Sequence, residues 1–434
     1  MLDVNLFRND LDNTVRRLAR KKVDKATIDE LVKHLDKRRA LTTQLDAERA
    51  SINALSKSIG QLMAQGRKED AEKSKAEVAS HKTAVADHEA RLAETDKQVD
   101  YILMRLPNLP ADDAPDGTSE ADNQVVRTHG PDPASFAASQ YKPHWEVATA
   151  LGIYDGERGA KISGSMFAVL RGDGARLLRS LVRFALELNS PNYEEVVTPH
   201  FVRTETFTGT GQLPKFADDA YRLERDDLWA IPTGEVPLMG LHQNEILEES
   251  ELPLRYMTHT ACFRREAGAA GKDTRGMQRL HEFHKVELVK ICTAAQEAAE
   301  FEALVADACR PLELLGLPYR VVDLCTADLT FGSARTFDLE VYAPGVGKWL
   351  EVSSCGIYTD FQTRRGSIRY RPGSAPNAKP QFCRAMNGSG LATPRVWAAI
   401  IEHYQQPDGT VLVPEILRPH FGGDRLTREG RRRR

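Results

Sequence analysis

Residues 263–266 read Phe263-Arg264-Arg265-Glu266, and two further short segments follow them in a fixed order. The second is Glu351–Ser354 (EVSS), and the third is Asn387–Ala392 (NGSGLA), which precedes Arg395. Two arginines, several carboxylates and a glycine-rich turn, spread over strand-like segments, are what a nucleoside triphosphate site requires. The ordered set therefore points to such a site.

The first segment lies at the end of a predicted strand, Arg255–Glu266, whose alternation places Arg264 and Glu266 on its polar face. A loop over 267–278, rich in glycine and charge, connects it to a second predicted strand, Arg279–Ile291. The second strand presents Phe283, Lys285 and Glu287 on one face. This antiparallel hairpin suits phosphate binding and base stacking, and equally suits a surface ladder of ion pairs.

The second segment ends a predicted strand, Trp349–Ser354, that follows another over Thr336–Tyr342. Strand alternation puts Glu351 with Ser353, so Ser354 joins them only through a bulge or at the strand end. A carboxylate beside a hydroxyl suits Mg²⁺, which prefers oxygen ligands and usually binds substrate phosphate as well.

The third segment, Asn387–Gly390, is predicted to be a glycine-flanked turn that opens a helix. Val396, Ile400 and Tyr404 mark the apolar face of that helix, and Arg395 falls near its N-terminus, where anions are favoured. A structural turn before a core helix explains the same pattern.

The length and composition of the chain limit the number of domains and the class of protein. The chain has 434 residues, which indicates two domains, and 41% of its residues are hydrophobic. Its net charge of -3 gives no overall basic character of the kind that nucleic-acid binding favours. It contains six cysteines, no Cys-x-x-Cys pair and no run of 18 apolar residues, and we expect no secretory leader because residues 1–5 lack the basic and then apolar pattern of one. These features favour a cytoplasmic protein with reduced thiols and no membrane association. His281 and His284 fall on opposite strand faces, which disfavours zinc.

Residues 27–106 contain almost no glycine or proline and carry heptad series of apolar residues. Val78, Val85, Leu92 and Val99 form one such series, and Glu48 interrupts another. Heptads predict helices that pack along a narrow seam, and the turn at residues 65–68 favours an antiparallel hairpin over a dimerising coiled coil.

Three prolines end the second helix, and the polar, acidic stretch that follows predicts a linker. From about residue 140 strands and helices alternate. The expected domains are a helical arm over 1–110, a linker over 111–139 and a second domain over 140–434, whose residues 425–434 form a basic, disordered tail. That tail ends in four arginines and is either a solvated end or an auxiliary RNA contact.

Taken together, the three segments resemble the motifs of the class II aminoacyl-tRNA synthetases, and in particular the seryl-tRNA synthetase family. Pro199, after the helix over 175–189, resembles the first class motif, which the family uses at its dimer interface. Residues 208–216, 232–237 and 273–276 narrow the resemblance to the serine family. The N-terminal hairpin matches the family's tRNA-binding arm. The implied fold class is α+β: a helical coiled-coil hairpin followed by a mainly antiparallel sheet flanked by helices.

The resemblance also implies roles. Arg264 and Arg395 are the expected catalytic residues, binding the α-phosphate and the γ-phosphate of ATP. Glu266 is expected to contact the adenine amino group, and Phe283 to stack on adenine. The expected ATP-binding set is Arg264, Arg265, Glu266, Phe283, Glu351, Val352, Ser353, Ser354 and Arg395.

Glu351 and Ser354 are the expected ligands of Mg²⁺. The expected serine-binding set is Thr233, Gly234, Glu235, Glu287, Asn387 and Ser389. Gly234 stands where the family commonly has alanine.

The implied reaction is ligation of L-serine to the 3′ end of tRNA-Ser through a seryl-adenylate, by a cytoplasmic homodimer. Two other readings stay open. One is a paralogue that loads an amino acid onto a carrier protein, which the helical arm disfavours. The other is a non-enzymatic coiled-coil scaffold, which the retained Arg264, Glu266, Glu351 and Arg395 disfavour.

Overall fold

The computed structural model describes residues 1–136, 141–267, 274–373 and 378–428. It divides into two compact units, one over Leu2–Leu106 and one that contains Met1 and everything from Pro107 onward. The first unit ends close to the predicted limit of the helical arm. None of the helices in the described part of the chain combines the length and apolar character that a membrane span requires.

The first unit is helical throughout. Its helices are α1 (Leu6–Asn9), α2 (Leu11–Arg20), α3 (Lys25–Ala64) and α4 (Lys68–Leu103). The Asp24 side chain accepts a hydrogen bond from Ala26 N and caps the start of α3, while Gly66 has a φ of +75° in the turn before α4.

Helices α3 and α4 pack against each other as the predicted antiparallel hairpin. Leu41, Leu45 and Val99 of the seam are buried. Glu48, which interrupts the apolar series, forms an ion pair with His81 of the opposite helix. The heptad prediction is therefore confirmed, and the interruption is a polar contact across the seam.

The second unit is built on a sheet with helices packed against it. Its helices are α5 (His144–Leu151), α6 (Gly156–Ser163), α7 (Asp173–Asn189), α8 (Thr204–Gly209), α9 (Glu235–Gly240), α10 (Glu297–Leu314), α11 (Phe361–Arg365), α12 (Thr393–His403) and α13 (Arg418–Phe421). Its first nine strands are β1 (Gln124–His129), β2 (Tyr154–Asp155), β3 (Val169–Leu170), β4 (Glu194–Glu195), β5 (Phe201–Arg203), β6 (Arg222–Leu223), β7 (Leu228–Ala230), β8 (Ile246–Glu248) and β9 (Leu254–Phe263). The others are β10 (Glu282–Cys292), β11 (Tyr319–Asp323), β12 (Arg335–Ala343), β13 (Lys348–Thr359), β14 (Arg369–Arg371), β15 (Gln381–Phe382), β16 (Arg384–Ala392), β17 (Val411–Leu412) and β18 (Arg425–Leu426).

Within the described residues the main sheet has eight strands in the order β1-β11-β12-β13-β16-β10-β9-β4. Its neighbours are antiparallel except for the short β4, which runs parallel to β9. Apolar residues of α7, α10 and α12 join those of the central strands in one core, exemplified by Leu181, Leu304, Trp397 and Leu288. Because this core occupies one face of the central strands, the opposite face is available for polar side chains.

Two predicted boundaries differ from the structure. The predicted linker over 111–139 contributes β1, which pairs with β11 at the sheet edge, so this polar segment belongs to the second unit. Backbone pairing stabilises such an edge strand without the apolar alternation that would reveal it. Arg425 and Leu426, assigned to the basic tail, form β18 and pair with β17. Residues 429–434 lie outside the described part.

Candidate functional site

Three adjacent strands, β9, β10 and β16, carry a row of polar side chains. Thr258 pairs with Glu287, and Glu287 pairs with Ser389, so the three residues lie side by side across the strands. Phe283 and Lys285 follow on the same face of β10, as strand alternation predicts. The predicted grouping of Phe283, Lys285 and Glu287 is therefore confirmed.

A buried hydrogen-bond network surrounds Glu287. Thr233 Oγ1 donates to Glu287 Oε2 at 2.8 Å and accepts from Lys285 Nζ at 3.0 Å, while Lys285 also forms an ion pair with Glu287. Glu287 is 1% exposed, and Lys285 is 7% exposed. Because a buried carboxylate is costly unless it is paired, this network fixes Glu287 in one orientation.

Glu235 and Gly234 complete this region. Burial raises the pKa of the Glu235 carboxyl to about 7, and Gln362 donates a hydrogen bond to it. A Cβ added at Gly234 would come 2.6 Å from Thr258 Cγ2, so glycine is the residue that fits beside this threonine. The Thr258 hydroxyl and Gln362 Oε1 are buried and have no partner among the described residues. Such orphaned groups suit a small polar ligand.

The third segment is a strand, and the predicted turn at Asn387–Gly390 is wrong. These residues belong to β16, in the interior of the sheet. A Cβ at Gly388 would lie 2.8 Å from Cys355 Sγ, so this glycine is needed for close packing with β13. Asn387 and Ser389 alternate with the glycines and are both nearly buried. The helix after the segment is present as α12, with Pro394 in its first turn as expected.

In the first segment, only Phe263 belongs to β9, and Arg264, Arg265 and Glu266 lie beyond the end of that strand. Strand alternation therefore does not hold Arg264 and Glu266 together, and that part of the prediction is wrong. The Arg264 guanidinium lies 5.1 Å from the centroid of the Phe283 ring, and its Nε donates to Pro232 O at 3.3 Å. Glu266 has a φ of +52° and forms an ion pair with Arg279. The connecting loop carries residues 268–273, which lie outside the described part and include Asp273.

The second segment contains the β-bulge that Ser354 needs in order to lie on the same face as Glu351. Asp338 pairs with Ser354, whereas Glu340 pairs with Glu351, so a β-bulge separates Ser354 from Glu351. The extra residue moves Ser354 and Glu351 to the same face, together with Asp338. Burial raises the pKa of Asp338 well above its usual range, and the charge of Glu351 adds to this shift. Asp338 Oδ1 is buried without a partner among the described residues.

Arg395 lies in the first turn of α12 and bridges the other segments. Its Nε donates to Gln278 O at 3.0 Å, and its Nη1 donates to Glu351 O at 2.6 Å. The guanidinium is thus held beside the carboxylate of Glu351, 3.8 Å away. This arrangement brings the second and third segments together as the ordered pattern indicates.

Three other expected ATP-binding residues have partners within the protein or are buried. Arg265, which is exposed, donates to Asp218 O at 3.3 Å. Val352 is 3% exposed within the core. Ser353 Oγ donates to Ser389 O at 2.9 Å and accepts from Ser389 N at 3.1 Å, so it ties β13 to β16. The Val352 and Ser353 side chains thus pack within or connect strands of the sheet, and the part that these two residues and Arg265 take in ATP binding stays a prediction.

Sequence reasoning missed several residues of the site. The strand alternation predicts the face of Lys285 but no role for it, and Asp338 lies within the predicted strand Thr336–Tyr342 without a predicted role. Gln362 lies in the short helix α11 and reaches Glu235 through tertiary packing, so no local pattern could reveal it. His281 and His284 have separate partners, Arg264 O and His259.

Comparisons with known proteins agree with this architecture. Residues 1–110 match the seryl-tRNA synthetase N-terminal domain, and residues 220–404 match the tRNA synthetase class II core domain (G, H, P, S and T). The serine--tRNA ligase of Roseiflexus sp. (strain RS-1) is 46% identical over 99% of this chain and 100% of its own length. That of Thermomicrobium roseum is 47% identical over 98% of this chain and 94% of its own length.

Two solved structures are also similar over the whole chain. The seryl-tRNA synthetase from Pyrococcus horikoshii complexed with ATP has a TM-score of 0.92 and 33% identity, covering 98% of this chain and 99% of that one. The cytoplasmic serine-tRNA ligase from Naegleria fowleri in complex with AMP has a TM-score of 0.87 and 28% identity, covering 98% and 99%. With the site residues in the order and positions described above, this chain belongs to the seryl-tRNA synthetase family.

Proposed function

We propose that this protein is a serine--tRNA ligase that joins L-serine to the 3′ end of tRNA-Ser, using ATP and forming a seryl-adenylate. The observation that carries the proposal is the row of polar side chains across β9, β10 and β16. It combines a buried, hydrogen-bonded Glu287 with an exposed Arg264 over an aromatic ring. One end suits a small hydroxylated amino acid, and the other suits a nucleotide.

ATP occupies the surface between Phe283, Arg264 and Arg395 in this proposal. Adenine stacks on the Phe283 ring, Glu266 accepts from the adenine amino group, and Arg264 binds the α-phosphate together with the serine carboxylate. Arg395 binds the γ-phosphate near the N-terminus of α12. Glu266 is paired with Arg279 in the structure, so adenine would share that carboxylate.

The chemistry then proceeds in two steps. The serine carboxylate attacks the α-phosphate, which gives seryl-adenylate and pyrophosphate. The terminal 3′-hydroxyl of tRNA attacks the adenylate carbonyl, which gives seryl-tRNA and AMP. Positioning and charge neutralisation supply most of such catalysis, and Arg264 and Arg395 provide both at opposite ends of the triphosphate.

Magnesium fits the bulged face of β13. Glu351, Ser354 and the orphaned Asp338 Oδ1 offer oxygen donors on one face, which is the donor type that Mg²⁺ prefers. We propose that Glu351 and Ser354 hold the ion, which neutralises phosphate charge when bound. Ser353 is excluded from this role because its hydroxyl is committed to Ser389.

Replacing Glu351 by glutamine is expected to raise the Mg²⁺ concentration for half-maximal pyrophosphate exchange by about tenfold or more, since a charged oxygen ligand is lost. Ser354→Ala should shift it in the same direction by less. Magnesium titrations of both variants check this, with Glu415→Gln on the exposed surface as the control. An unchanged titration for Glu351→Gln would remove this residue from the metal site.

The serine pocket comprises Thr233, Glu235, Glu287, Asn387 and Ser389, with Gly234 giving room beside Thr258. We propose that Glu287 recognises the serine hydroxyl. Thr233 and Lys285 already hold its carboxylate, so it does not reorganise when serine binds. A pocket built to pair with a hydroxyl strongly rejects alanine, because the buried polar groups would be left without partners.

The function is tested by ATP–pyrophosphate exchange over a panel of amino acids, followed by charging of tRNA. Serine alone should support full exchange, and Glu287→Ala should reduce it by about 10²-fold or more because the buried network is broken. Ser389→Ala should reduce serine activation less. Exposed Glu302→Ala serves as the matched control. Serine-dependent exchange at the parental rate in both Glu287→Ala and Ser389→Ala would contradict the pocket.

We further propose that the helical hairpin binds the backbone of tRNA-Ser. Lys33, Lys37 and Arg39 are exposed along the first part of α3, where they can contact phosphates. Shape and backbone recognition of this kind depends on salt and does not require base contacts.

We propose that the chain is a homodimer through the region of Pro199 and α7. Val197 is 91% exposed and Phe201 is 47% exposed, and a cavity of about 580 Å³ nearby is lined by Leu178, Val182 and Leu186 of α7. Exposed apolar residues beside an apolar cavity are typical of a subunit contact. Sedimentation equilibrium that showed only monomer at micromolar concentration would contradict this.

A cytoplasmic location follows from the same proposal. The six cysteines are free and buried, which suits a reducing compartment. Cell fractionation that recovered the protein with membranes would contradict it.

A further inference from the structure

A fully buried histidine–glutamate pair lies outside the set of predicted ligands. His144 is the first residue of α5, Glu402 lies in the last turn of α12, and both are 0% exposed. Glu402 Oε1 lies 2.7 Å from His144 Nδ1 and accepts from the main-chain N–H of His144 at 3.0 Å. A buried pair of this kind is expensive to form unless every polar atom is satisfied.

The remaining polar atoms of the pair reach two other segments. Glu402 Oε2 accepts from Gly345 N at 2.8 Å and from Val346 N at 3.2 Å, in the turn between β12 and β13. His144 Nε2 accepts from Met277 N at 3.0 Å, at the end of the β9–β10 loop. Because the main-chain N–H of Met277 can only donate, His144 Nε2 must accept and therefore carries no proton. The ring proton is on Nδ1, whose N–H donates a hydrogen bond to Glu402 Oε1.

The other end of α12 holds the same two segments. Arg395 donates to Gln278 O, next to Met277 in the chain, and to Glu351 O in β13. The last residues of the β9–β10 loop are therefore held at two consecutive positions. Met277 bonds to His144, which Glu402 of α12 holds in turn, and Gln278 bonds directly to Arg395 of α12. Helix α12 also fixes the β12–β13 hairpin at its turn and at Glu351.

The backbone around Gly276 is shaped for this contact. Gly276 has a φ of +67°, and a Cβ added there would collide with the His144 ring. Only glycine allows the loop to adopt this conformation so close to the imidazole. The loop exit and the histidine are thus matched to each other.

We propose that His144 and Glu402 form a positioning pair for ATP. By fixing Met277 and the turn at 345–346 relative to α12, the pair sets where Arg395 and Glu351 stand around the triphosphate, although neither residue touches the nucleotide. This inference rests on the proposed ATP site. It predicts an effect on ATP affinity, whereas a purely structural pair affects stability alone.

The test uses the full-length protein and steady-state ATP–pyrophosphate exchange with ATP and serine varied separately. His144→Asn keeps a donor for Glu402 but loses the acceptor for Met277, and Glu402→Gln loses the charge and an acceptor oxygen. Each should raise the KM for ATP by about tenfold or more while the KM for serine changes by less than about twofold, as for other supporting-residue losses. His144→Gln places an acceptor near the Nε2 position and should recover part of the ATP affinity.

Tyr404→Phe is the structural control, because Tyr404 is half-buried and its hydroxyl donates to Leu315 O at 2.6 Å, away from these segments. It should lower the unfolding temperature and leave the KM for ATP unchanged. The proposal is overturned if His144→Asn and Glu402→Gln also lower only the unfolding temperature. If Glu402→Gln does not fold, the KM for ATP of His144→Asn compared with that of His144→Gln decides the question. Absence of serine-dependent exchange in the unaltered protein would instead overturn the proposed function, and this inference with it.

Discussion

Replacing Arg264 by alanine is expected to lower the rate of serine-dependent ATP–pyrophosphate exchange by about 10²- to 10³-fold, as for the loss of a transition-state donor. Arg264 is exposed and uses its Nε to donate to Pro232 O. Its terminal Nη groups form no hydrogen bond within the described residues, so they are available for the α-phosphate. The guanidinium also lies 5.1 Å from the centroid of the Phe283 ring, within the range of a cation–π contact.

Arg264→Lys should remain impaired, because an ammonium is a single point charge and does not reproduce a two-pronged guanidinium contact. Arg225→Ala, on an exposed turn of the same unit, is the matched control and should exchange at the parental rate. Since Arg264 is exposed, circular dichroism and the unfolding temperature should be unchanged in both variants. Parental exchange in Arg264→Ala would exclude this residue from the reaction.

Local patterns predicted the elements whose residues repeat with one period. The heptads of α3 and α4 extend over many turns, so their seam was visible despite Glu48. The alternation of β10 likewise placed Phe283, Lys285 and Glu287 on one face. Strands that are stabilised only by backbone pairing could not be predicted from the sequence. Strand β1 is an example, because it has no apolar alternation and all six of its residues are exposed.

The site was predicted less completely, because it depends on departures from regular strands. Alternation can state that Ser354 needs a bulge to join Glu351, but only the pairing of β12 with β13 shows where the extra residue lies. The glycines of Asn387–Gly390 suggest a turn, whereas close packing against Cys355 requires them inside a strand. Arg264 reaches Phe283 from beyond the end of β9. Buried partners such as His144 and Gln362 come from distant segments, which no local pattern connects.

Deleting residues 28–105 is expected to separate the two steps of the reaction. Adenylate formation, measured by ATP–pyrophosphate exchange, should stay within about twofold of the full chain, because every proposed ATP and serine ligand lies in the second unit. Charging of tRNA-Ser should fall on the order of 10³-fold, because the phosphate contacts of the hairpin are lost. A short glycine–serine linker can close the gap, because α3 and α4 pack against each other as antiparallel helices and are still paired at Arg38 and Asp96, in the part of the hairpin nearer its base.

A substitution that keeps the hairpin separates loss of binding from loss of the fold. Reversing the charge at Lys33, Lys37 and Arg39 changes only exposed positions of α3, so the helices should form as before. Charging should then fall while exchange is retained, and the remaining activity should decrease less steeply with added salt because fewer phosphates are neutralised. Replacing the exposed Lys82 and Lys97 of α4 by alanine controls for a general change of charge. Full charging by the deleted chain would show that the hairpin has no role in tRNA binding, and retained charging by the reversed variant would place the contacts elsewhere on it.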